Sequence, residues 1–412
     1  MIPRTLAPRL LELARRFPVV TITGPRQSGK TTLCRAAFPD KPYVSLEAPD
    51  VRTYAASDPR GFLAEHRAGA IVDEVQRVPE LLSYLQVEVD AQPAPGRFIL
   101  TGSANLVLLQ SVSQSLAGRT ALLTLLPLGR DEVLRFPTPP EDLLTTLWKG
   151  GYPAIFDRNV PPPDWLGSYT ATYVERDVRH ILNISDLVAF QGFLRLAAAR
   201  SAQLLNLSAV SADAGITHNT ARAWFSVLEA SYVAFRLPPL HANVTKRLVK
   251  TPKAHFYDSG LLCYLLGIRE PEQLRHHPLR GAIFETWVVS EIVKARVHRG
   301  VPPSLSFYRD RKGAEVDLVL DRGDALVAVE TKSGQTVSAE FLSALARFQA
   351  SIGQAVQPKE VESVLVYGGD RPEHRSAARV VPWNQIQGVN WAGGRGDVPR
   401  AIDRELGGEA GK

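Results

Sequence analysis

Residues 24–31 read Gly24-Pro25-Arg26-Gln27-Ser28-Gly29-Lys30-Thr31, a complete G-x-x-x-x-G-K-T pattern. A short apolar run precedes the pattern at residues 18–23, and a helical stretch follows it at residues 30–37. In that setting the glycines let the backbone wrap around phosphate, and N–H groups at the helix N-terminus converge on the anion. The pattern predicts that these eight residues, with Thr32, bind ATP. Lys30 is expected to reach the β- and γ-phosphates, and Thr31 is expected to ligate Mg²⁺.

Length and composition restrict the class of protein. The chain has 412 residues, which is too long for one ordinary core. Its hydrophobic content of 45% and charged content of 22% are typical of a soluble globular protein. No apolar run approaches the roughly 18–20 residues that cross a bilayer, so no membrane partner is expected. Cys34 and Cys263 are the only cysteines and have no metal-ligand spacing, which favours a reducing, cytoplasmic location.

Changes in periodicity divide the chain into several regions. The first alternates short aliphatic strands with helices, which predicts a mostly parallel α/β sheet. Proline clusters then mark a change to helical spacing, and a long helix followed by strand runs marks a third architecture. The predicted regions are a nucleotide-binding domain (1–136), a helical connecting region (137–206), a winged helix-turn-helix (207–258), a helical linker (259–280), an α/β C-terminal domain (281–385) and a partly disordered tail (386–412).

Four further residues in the first region fit the chemistry of ATP hydrolysis. Asp73 and Glu74 end an apolar strand, where Asp73 is expected to hold Mg²⁺ through water and Glu74 to act as general base. Ser103 follows the next strand and either orients the attacking water or caps a helix. Arg119 either points at the γ-phosphate of a neighbouring subunit, which implies a homo-oligomer, or forms a salt bridge within its own domain.

These motifs resemble those of the AAA+ superfamily, and more closely those of bacterial and archaeal AAA ATPases that carry an uncharacterised C-terminal domain. The resemblance implies an ATP-binding fold in a multidomain α/β protein, with a parallel sheet in the strand order 5-1-4-3-2. The similarity covers nearly the whole chain. The segments that carry it are residues 24–31, 72–77, 100–103, 117–119, 126–128, 173–178, 281–289 and 315–332.

The middle of the chain contains a helix-turn-helix pattern over residues 207–232, with the turn at Gly215. This spacing predicts a second helix that enters a DNA major groove. A basic stretch without acids follows at residues 241–253 and predicts a wing that tracks DNA phosphates. Packing against the nucleotide domain or binding to a protein is the alternative. The residues predicted to contact DNA are Asn219, Thr220, Arg222, Lys246, Arg247 and Lys250, and Lys253 ends the basic stretch.

The C-terminal region contains a dispersed set of acids and a lysine. Glu285 lies in the long helix, Asp317 lies in a strand, and Glu330 and Lys332 end the next strand. Strand alternation places Glu330 and Lys332 on one sheet face. The set resembles the PD-(D/E)xK restriction-endonuclease-like fold, except that Val316 replaces the proline of that motif. The resemblance implies that Glu285, Asp317 and Glu330 hold Mg²⁺ and that Lys332 orients the nucleophile or stabilises the oxyanion.

Together these features predict a Mg²⁺-dependent ATPase that couples its nucleotide state to DNA binding and DNA cleavage. Two other interpretations remain open at the level of sequence. One is a nucleotide-driven switch or scaffold that binds proteins and has no nuclease activity. The other is an ATPase that moves or remodels DNA and uses the nuclease fold as a grip. Loss of DNA cutting in Lys332→Ala would favour the DNA-cleaving ATPase over the switch or scaffold without nuclease activity.

Overall fold

The computed structural model describes residues 2–103, 112, 115–174, 186–240, 250–310, 313–323, 325–338, 340–353 and 359–393. Within these residues the strands form three sheets, which follow one another along the chain. The first sheet is parallel, the second is small and antiparallel, and the third is mixed. The nucleotide site lies at one edge of the first sheet, and the predicted C-terminal site lies on the third.

The N-terminal sheet has the strand order that the resemblance implies. Its order is β2-β3-β4-β1-β5, which is 5-1-4-3-2 read from the other edge, so this prediction is confirmed. All neighbouring strands are parallel. The strands are β1 (Val19–Thr23), β2 (Tyr43–Ser45), β3 (Ala70–Asp73), β4 (Phe98–Thr101) and β5 (Thr120–Thr124), and the helices are α1 (Ala7–Ala14), α2 (Lys30–Ala37), α3 (Pro49–Ser57), α4 (Pro59–Glu65), α5 (Leu81–Ala91) and a 3₁₀ turn (Val75–Arg77).

Both faces of this sheet are buried, which explains why its strands are apolar without alternation. Successive residues of β1 enter different cores: Val19 packs with residues of α4 and α5, and Val20 packs with residues of α1 and α2. Because the strands are parallel, their carboxyl ends meet at one edge of the sheet. The last residues of β1, β3 and β4, which are Thr23, Asp73 and Thr101, therefore lie at the same edge of the sheet, and the phosphate loop begins there.

The middle of the chain is helical and contains the predicted helix-turn-helix. Gly215 makes the turn with a φ of 66°, a left-handed conformation that glycine adopts without strain. Trp224 and Leu228 of the second helix are buried. The helices are α6 (Arg130–Val133), α7 (Leu143–Lys149), α8 (Pro153–Asp157), α9 (Pro162–Tyr169), a π-helical turn (Thr170–Val174), α10 (Leu187–Ala199), α11 (Leu207–Asp213), α12 (His218–Ala230), α13 (Ser259–Leu265) and a 3₁₀ turn (Pro271–Arg275), and the strands are β6 (Gln203–Leu204), β7 (Ala234–Leu237) and β8 (Lys253–Phe256).

The C-terminal region is a mixed sheet in the order β13-β14-β12-β11-β10-β9. The long helix beside it begins at Arg280 and is buried on nearly all sides. Its elements are α14 (Arg280–Val297), β9 (Leu305–Arg309), β10 (Glu315–Asp321), β11 (Ala325–Lys332), α15 (Glu340–Gly353), β12 (Glu360–Tyr367), β13 (Glu373–Arg375), β14 (Ala378–Pro382) and a 3₁₀ turn (Trp383–Gly388).

The first residues of the predicted, partly disordered tail are packed, over residues 386–393. Ile386 and Trp391 are buried in the same hydrophobic core as the helix-turn-helix and α14. The indole Nε1 of Trp391 donates to the Ile386 carbonyl at 2.9 Å, and Arg296 donates to the Trp391 carbonyl at 2.7 Å. A buried tryptophan with its N–H and carbonyl both bonded is fixed in place. The rest of the predicted tail lies outside the described residues.

Two observations bear on the predicted environment of the protein. Cys34 and Cys263 are free and buried, and burial raises the pKa of both thiols, so neither is poised to react. Among the described helices, none combines the length and the apolar character that crossing a bilayer demands. The cytoplasmic location stays a prediction.

Candidate functional site

The phosphate loop follows β1 and turns directly into α2. Gly24 has a φ of 145°, and a Cβ at this position would lie 2.1 Å from the Leu125 carbonyl oxygen, so only glycine fits. Gly29 has a φ of 92° and begins α2 as its N-cap. The loop therefore presents backbone N–H groups at a helix N-terminus, which is an anion-binding arrangement.

Two side chains of the loop, Lys30 and Ser28, are placed where a bound phosphate could contact them. The Lys30 ammonium donates to the Gly24 carbonyl at 3.0 Å and to the Pro25 carbonyl at 2.7 Å. The Ser28 hydroxyl is buried and has no hydrogen-bond partner among the described residues. Burial lowers the pKa of Lys30 to about 8, although Glu74 and Asp73 oppose the shift. A phosphate oxygen would supply the partner that the Ser28 hydroxyl lacks.

The Lys30 pKa predicts proton uptake on ATP binding. Near pH 9 most of the Lys30 population is neutral in the nucleotide-free loop, and negative phosphates raise the pKa of a neighbouring lysine. We therefore expect binding to take up about one proton per chain near pH 9 and almost none near pH 7. Calorimetric titrations in two buffers of different ionisation enthalpy measure the uptake. Lys30→Arg, which stays charged at pH 9, is the control, and equal uptake by this variant would contradict the assignment.

Asp73 and Thr31 form the second part of the site. The Thr31 hydroxyl donates to the two Asp73 carboxylate oxygens at 3.0 and 3.1 Å. The Tyr43 hydroxyl donates to the same carboxylate at 2.8 Å, and so does the Thr101 hydroxyl. A carboxylate and a hydroxyl side by side at the phosphate loop fit Mg²⁺, which prefers oxygen ligands.

Glu74 is held by two polar side chains. Its backbone is left-handed, with a φ of 58°, at the point where β3 ends. Gln76 Nε2 donates to the Glu74 carboxylate and also to the Ser103 hydroxyl, the latter at 2.8 Å. The Ser103 hydroxyl lies 3.4 Å from the same Glu74 oxygen. The structure therefore brings the predicted base and the predicted water-orienting residue together.

Most of the predicted ATP-binding residues border one cavity of about 800 Å³. The N-terminal segment closes another side of this cavity with Arg4, whose guanidinium donates to the Ser28 carbonyl at 2.6 Å. The predicted residues that line the cavity are Arg26, Gln27, Gly29, Lys30, Thr31, Thr32, Asp73 and Glu74.

Arg119 forms a salt bridge inside its own domain, which is the alternative that the sequence left open. Its guanidinium makes two hydrogen bonds to Asp90, at 2.5 and 2.8 Å. Asp90 belongs to α5, so the pair ties the start of β5 to that helix. Contact with a neighbouring subunit stays a prediction.

The helix-turn-helix exposes part of its predicted DNA-contacting surface. Asn219 and Arg222 are exposed on α12, and Thr220 is half-buried. Thr217 caps the helix by accepting a hydrogen bond from the Thr220 N–H at 3.1 Å. Lys250 is exposed, whereas the predicted contacts Lys246 and Arg247 lie outside the described residues.

The end of α12 touches the nucleotide sheet. Tyr232 lies just beyond the helix, and its hydroxyl is 3.1 Å from the Thr23 hydroxyl and 3.4 Å from the Thr124 hydroxyl. Thr23 immediately precedes Gly24, the first residue of the phosphate loop. One side chain therefore connects the helix-turn-helix to the strand that carries the loop.

The C-terminal acids come together as predicted from strand alternation. Antiparallel pairing of Leu318 with Val329 places Asp317 opposite Glu330 on neighbouring strands. The Lys332 ammonium lies 2.6 Å from a Glu330 oxygen. Glu285 approaches from α14, and Glu315 lies two residues before Asp317 on β10. We call Glu285, Glu315, Asp317 and Glu330 the carboxylate cluster.

Lys253 lies inside the carboxylate cluster and not on a DNA-facing wing, which corrects the sequence interpretation of that residue. Lys253 is the first residue of β8 and pairs through its backbone with Leu204 and Leu237. Only 2% of the residue is exposed to solvent. Burial opposes its charge, but Glu285, Asp317 and Glu315 outweigh burial and raise the pKa of Lys253. Burial and Asp317 raise the pKa of Glu330 to about 8.

The cluster does not fit the predicted Mg²⁺ site. Asp317 Oδ2 accepts hydrogen bonds from the Thr331 N–H and hydroxyl at 2.9 and 2.8 Å, and its other oxygen faces Lys253. Within the part of the chain that the structure describes, no three acidic, histidine or cysteine side chains are arranged to hold a metal ion, and the point that Glu285, Glu315 and Asp317 face is occupied by the Lys253 Nζ. The cation at the centre of these acids is an ammonium.

Some residues of the nucleotide site were not singled out from the sequence. Tyr43 and Thr101 hold Asp73, and Gln76 holds Glu74. The role of Gln76 could be recognised in the sequence, because it is a polar residue two positions after the acid pair. Tyr43 had none, since its contact depends on the pairing of β2 with β3.

Three families match successive parts of the chain. The AAA domain matches residues 16–134. Two domains of unknown function match residues 140–272 (DUF8612) and residues 280–386 (DUF4143). The AAA match contains the whole parallel sheet, the phosphate loop and the acid pair, so the N-terminal part of the chain is an AAA-type ATPase domain.

Two relatives match most of the chain, "Uncharacterized protein Rv2008c" of Mycobacterium tuberculosis and "Uncharacterized protein Mb2031c" of Mycobacterium bovis. Each is 31% identical over 363 residues, which cover 87% of this chain and 80% of the relative. Among solved structures, the Walker-type ATPase PABY2304 of Pyrococcus abyssi aligns with a TM-score of 0.42 at 15% identity, over 63% of this chain and 94% of that one. AMPPCP-bound DnaA from Aquifex aeolicus aligns with a TM-score of 0.29 at 15% identity, over 54% and 86%. These TM-scores are too low to support a functional conclusion. The two mycobacterial matches do establish kinship, and the chain, whose N-terminal part is an AAA domain, belongs to the same family as these two proteins.

Proposed function

We propose that the protein is a Mg²⁺-dependent ATPase whose nucleotide site controls a DNA-binding helix. Thr31 and Asp73 are the residues that would hold Mg²⁺, which when bound offsets the negative charge of the phosphates. Lys30 exchanges its two loop carbonyls for the β- and γ-phosphates. Glu74 accepts the proton of the attacking water, with Ser103 beside it.

The contact between Tyr232 and Thr23 is the observation that carries the coupling. A hydroxyl at the end of α12 reaches the last residue before the phosphate loop, at 3.1 Å. A change in loop conformation on ATP binding displaces Thr23 first, because the two are adjacent in the chain. That displacement is transmitted to α12 through a single side chain, so the orientation of the helix depends on the nucleotide.

DNA is the partner that best fits the exposed side of α12. His218, Asn219 and Arg222 are exposed in its first turns, whereas Trp224 and Phe225 are buried. In a helix-turn-helix the N-terminal residues of the second helix are those that contact base edges and phosphates. Amide, imidazole and guanidinium groups are suited to both kinds of contact.

Arg222→Ala is expected to weaken duplex binding and to reduce the slope of log affinity against log salt by about 1. Fluorescence anisotropy with a labelled random-sequence duplex, repeated over a range of salt concentrations, measures both. Arg195→Ala is the matched control, because Arg195 is an exposed arginine on α10 outside the helix-turn-helix. Tyr232→Phe is expected to reduce the difference in DNA affinity between the ATP and ADP states.

Two results would contradict the DNA proposal. Equal salt slopes for the wild type, Arg222→Ala and Arg195→Ala would show that α12 does not contact phosphates. Absence of duplex binding at low salt would favour the alternative of a nucleotide-driven switch that binds protein.

DNA cleavage is not part of this proposal. The predicted metal ligands Glu285 and Asp317 face the Lys253 ammonium, and Glu330 is bonded to Lys332. Mg²⁺-dependent plasmid cleavage that disappears in Lys332→Ala would overturn this assignment and restore the nuclease interpretation.

A further inference from the structure

The Lys253 ammonium is the centre of the carboxylate cluster. It lies 2.7 Å from a Glu285 oxygen, 2.5 Å from a Glu315 oxygen and 3.5 Å from an Asp317 oxygen. An ammonium has three N–H donors, and three carboxylates surround it. We propose that Lys253 takes the place of a divalent metal ion in this cluster, so that the C-terminal domain binds no metal there unless Lys253 is removed.

The backbone holds Lys253 in this position. It belongs to β8, the central strand of the sheet β6-β8-β7, and it pairs with Leu204 on one side and Leu237 on the other. A residue fixed between two strands cannot withdraw as a loop residue can. The aromatic ring of Phe307 lies 5.6 Å from the ammonium and covers it. Lys253 is therefore a permanent member of the cluster.

The carboxylates are correspondingly committed to protein groups. Asp317 accepts two hydrogen bonds from Thr331, and the second oxygen of Glu315 pairs with Arg309 at 3.2 Å. Glu330 is different: its Oε2 is buried without a hydrogen-bond partner among the described residues, and the residue is only 6% exposed. Removal of the Lys253 ammonium would leave the Glu285, Glu315 and Asp317 oxygens that face it around an uncharged space, with Glu330 on the neighbouring strand. Several carboxylate oxygens around one point are the ligands that divalent ions such as Mg²⁺ and Mn²⁺ prefer.

Lys253→Met tests the substitution of a lysine for a metal, because methionine keeps the apolar length and removes the charge. The probe is Mn²⁺ alone, followed by electron paramagnetic resonance in the absence of nucleotide. The full-length wild type and Asp317→Asn are expected to bind the same amount of Mn²⁺, because the wild type has no Mn²⁺ site in the carboxylate cluster. Lys253→Met is expected to bind one Mn²⁺ per chain, with an affinity at least about tenfold higher than that of the wild type. The double variant Lys253→Met with Asp317→Asn is expected to lose this Mn²⁺ site.

A charge-balanced variant covers the case in which Lys253→Met does not fold. Lys253→Met with Glu315→Gln removes one positive and one negative charge and keeps Glu285, Asp317 and Glu330. It is expected to gain the same Mn²⁺ site. Lys359→Met is the matched control, because Lys359 pairs with Asp321 at 2.9 Å on the surface of the same domain, and it is expected to gain no site.

Wild-type Mn²⁺ binding that Asp317→Asn abolishes would overturn the proposal, and this comparison does not depend on any Lys253 variant. Failure of both Lys253 variants to gain a site would also overturn it. Neither result would affect the proposed ATPase and DNA-binding activities, which are measured at other sites.

Discussion

Glu74→Gln is expected to lower kcat for ATP hydrolysis by about 10²–10⁴-fold, the usual contribution of a general base, and to leave ATP affinity nearly unchanged. Glutamine preserves the shape of the side chain and its contact with Gln76 and Ser103, but it cannot accept a proton from water. The phosphate loop is untouched by the change. Phosphate release under saturating ATP and Mg²⁺ measures the rate, and equilibrium binding of labelled ATP measures the affinity.

Glu80→Gln is the control for this prediction. It removes the same charge from an exposed residue just before α5, close in sequence to Glu74. We expect it to hydrolyse ATP at the wild-type rate. A Glu74→Gln variant that also retains the wild-type rate would show that another group takes the proton.

The nucleotide site could be predicted from the sequence because its chemistry is local. The phosphate loop occupies eight consecutive residues, and Asp73 and Glu74 are adjacent at a strand end. Parallel strands then bring these segments to one edge of the sheet without further information. The two helices of the helix-turn-helix and the face shared by Glu330 and Lys332 follow in the same way from periodicity along one segment.

Contacts between distant segments could not be predicted in this way. The sequence pattern assigns Lys253 to a basic wing because its neighbours in sequence are basic. In the structure β8 begins at Lys253, and the side chain is buried in the carboxylate cluster. Its partners Glu285 and Asp317 lie 32 or more residues away. Trp391 similarly reads as part of a tail rich in glycine, and only the completed core shows where it packs. Periodicity carries no information on such pairings.

Arg4 connects the phosphate loop with the C-terminal domain. Its guanidinium donates to the Ser28 carbonyl at 2.6 Å, to the Leu126 carbonyl at 2.9 Å and to Glu132 at 2.9 Å. Glu132 is fully buried and lies 3.5 Å from His298, the residue that follows α14. The same helix carries Glu285 near its other end. The loop and the carboxylate cluster are therefore joined through one arginine and one long helix.

Charge explains why Arg4 matters to this connection. Burial would raise the pKa of Glu132, but His298 and Arg4 outweigh burial and lower it to about 2. Burial also lowers the pKa of His298 to about 4, so its imidazole is neutral near pH 7. Arg4 is then the cation that neutralises Glu132 under these conditions.

Arg4→Ala is expected to lower the free energy of unfolding by about 3 kcal/mol at pH 7, because it leaves the buried Glu132 carboxylate without its cation. This corresponds to several degrees in Tm by differential scanning calorimetry. ATP affinity is expected to fall as well, since the Ser28 carbonyl loses its donor and the loop is less well ordered.

The Glu132 pKa lies below its ordinary value of 4.5, so its ionised form stabilises the fold above pH 4.5 and this contribution is lost as the pH falls towards 2. The difference between wild type and variant is therefore expected to be largest above pH 4.5 and to narrow below it. Arg16→Ala is the control, because Arg16 is 65% exposed and an ion pair in solvent, such as the one it forms with Glu12, contributes little to stability. If Arg4→Ala and Arg16→Ala lowered Tm equally, or if the difference did not narrow in acid, Arg4 would not be the cation that stabilises Glu132.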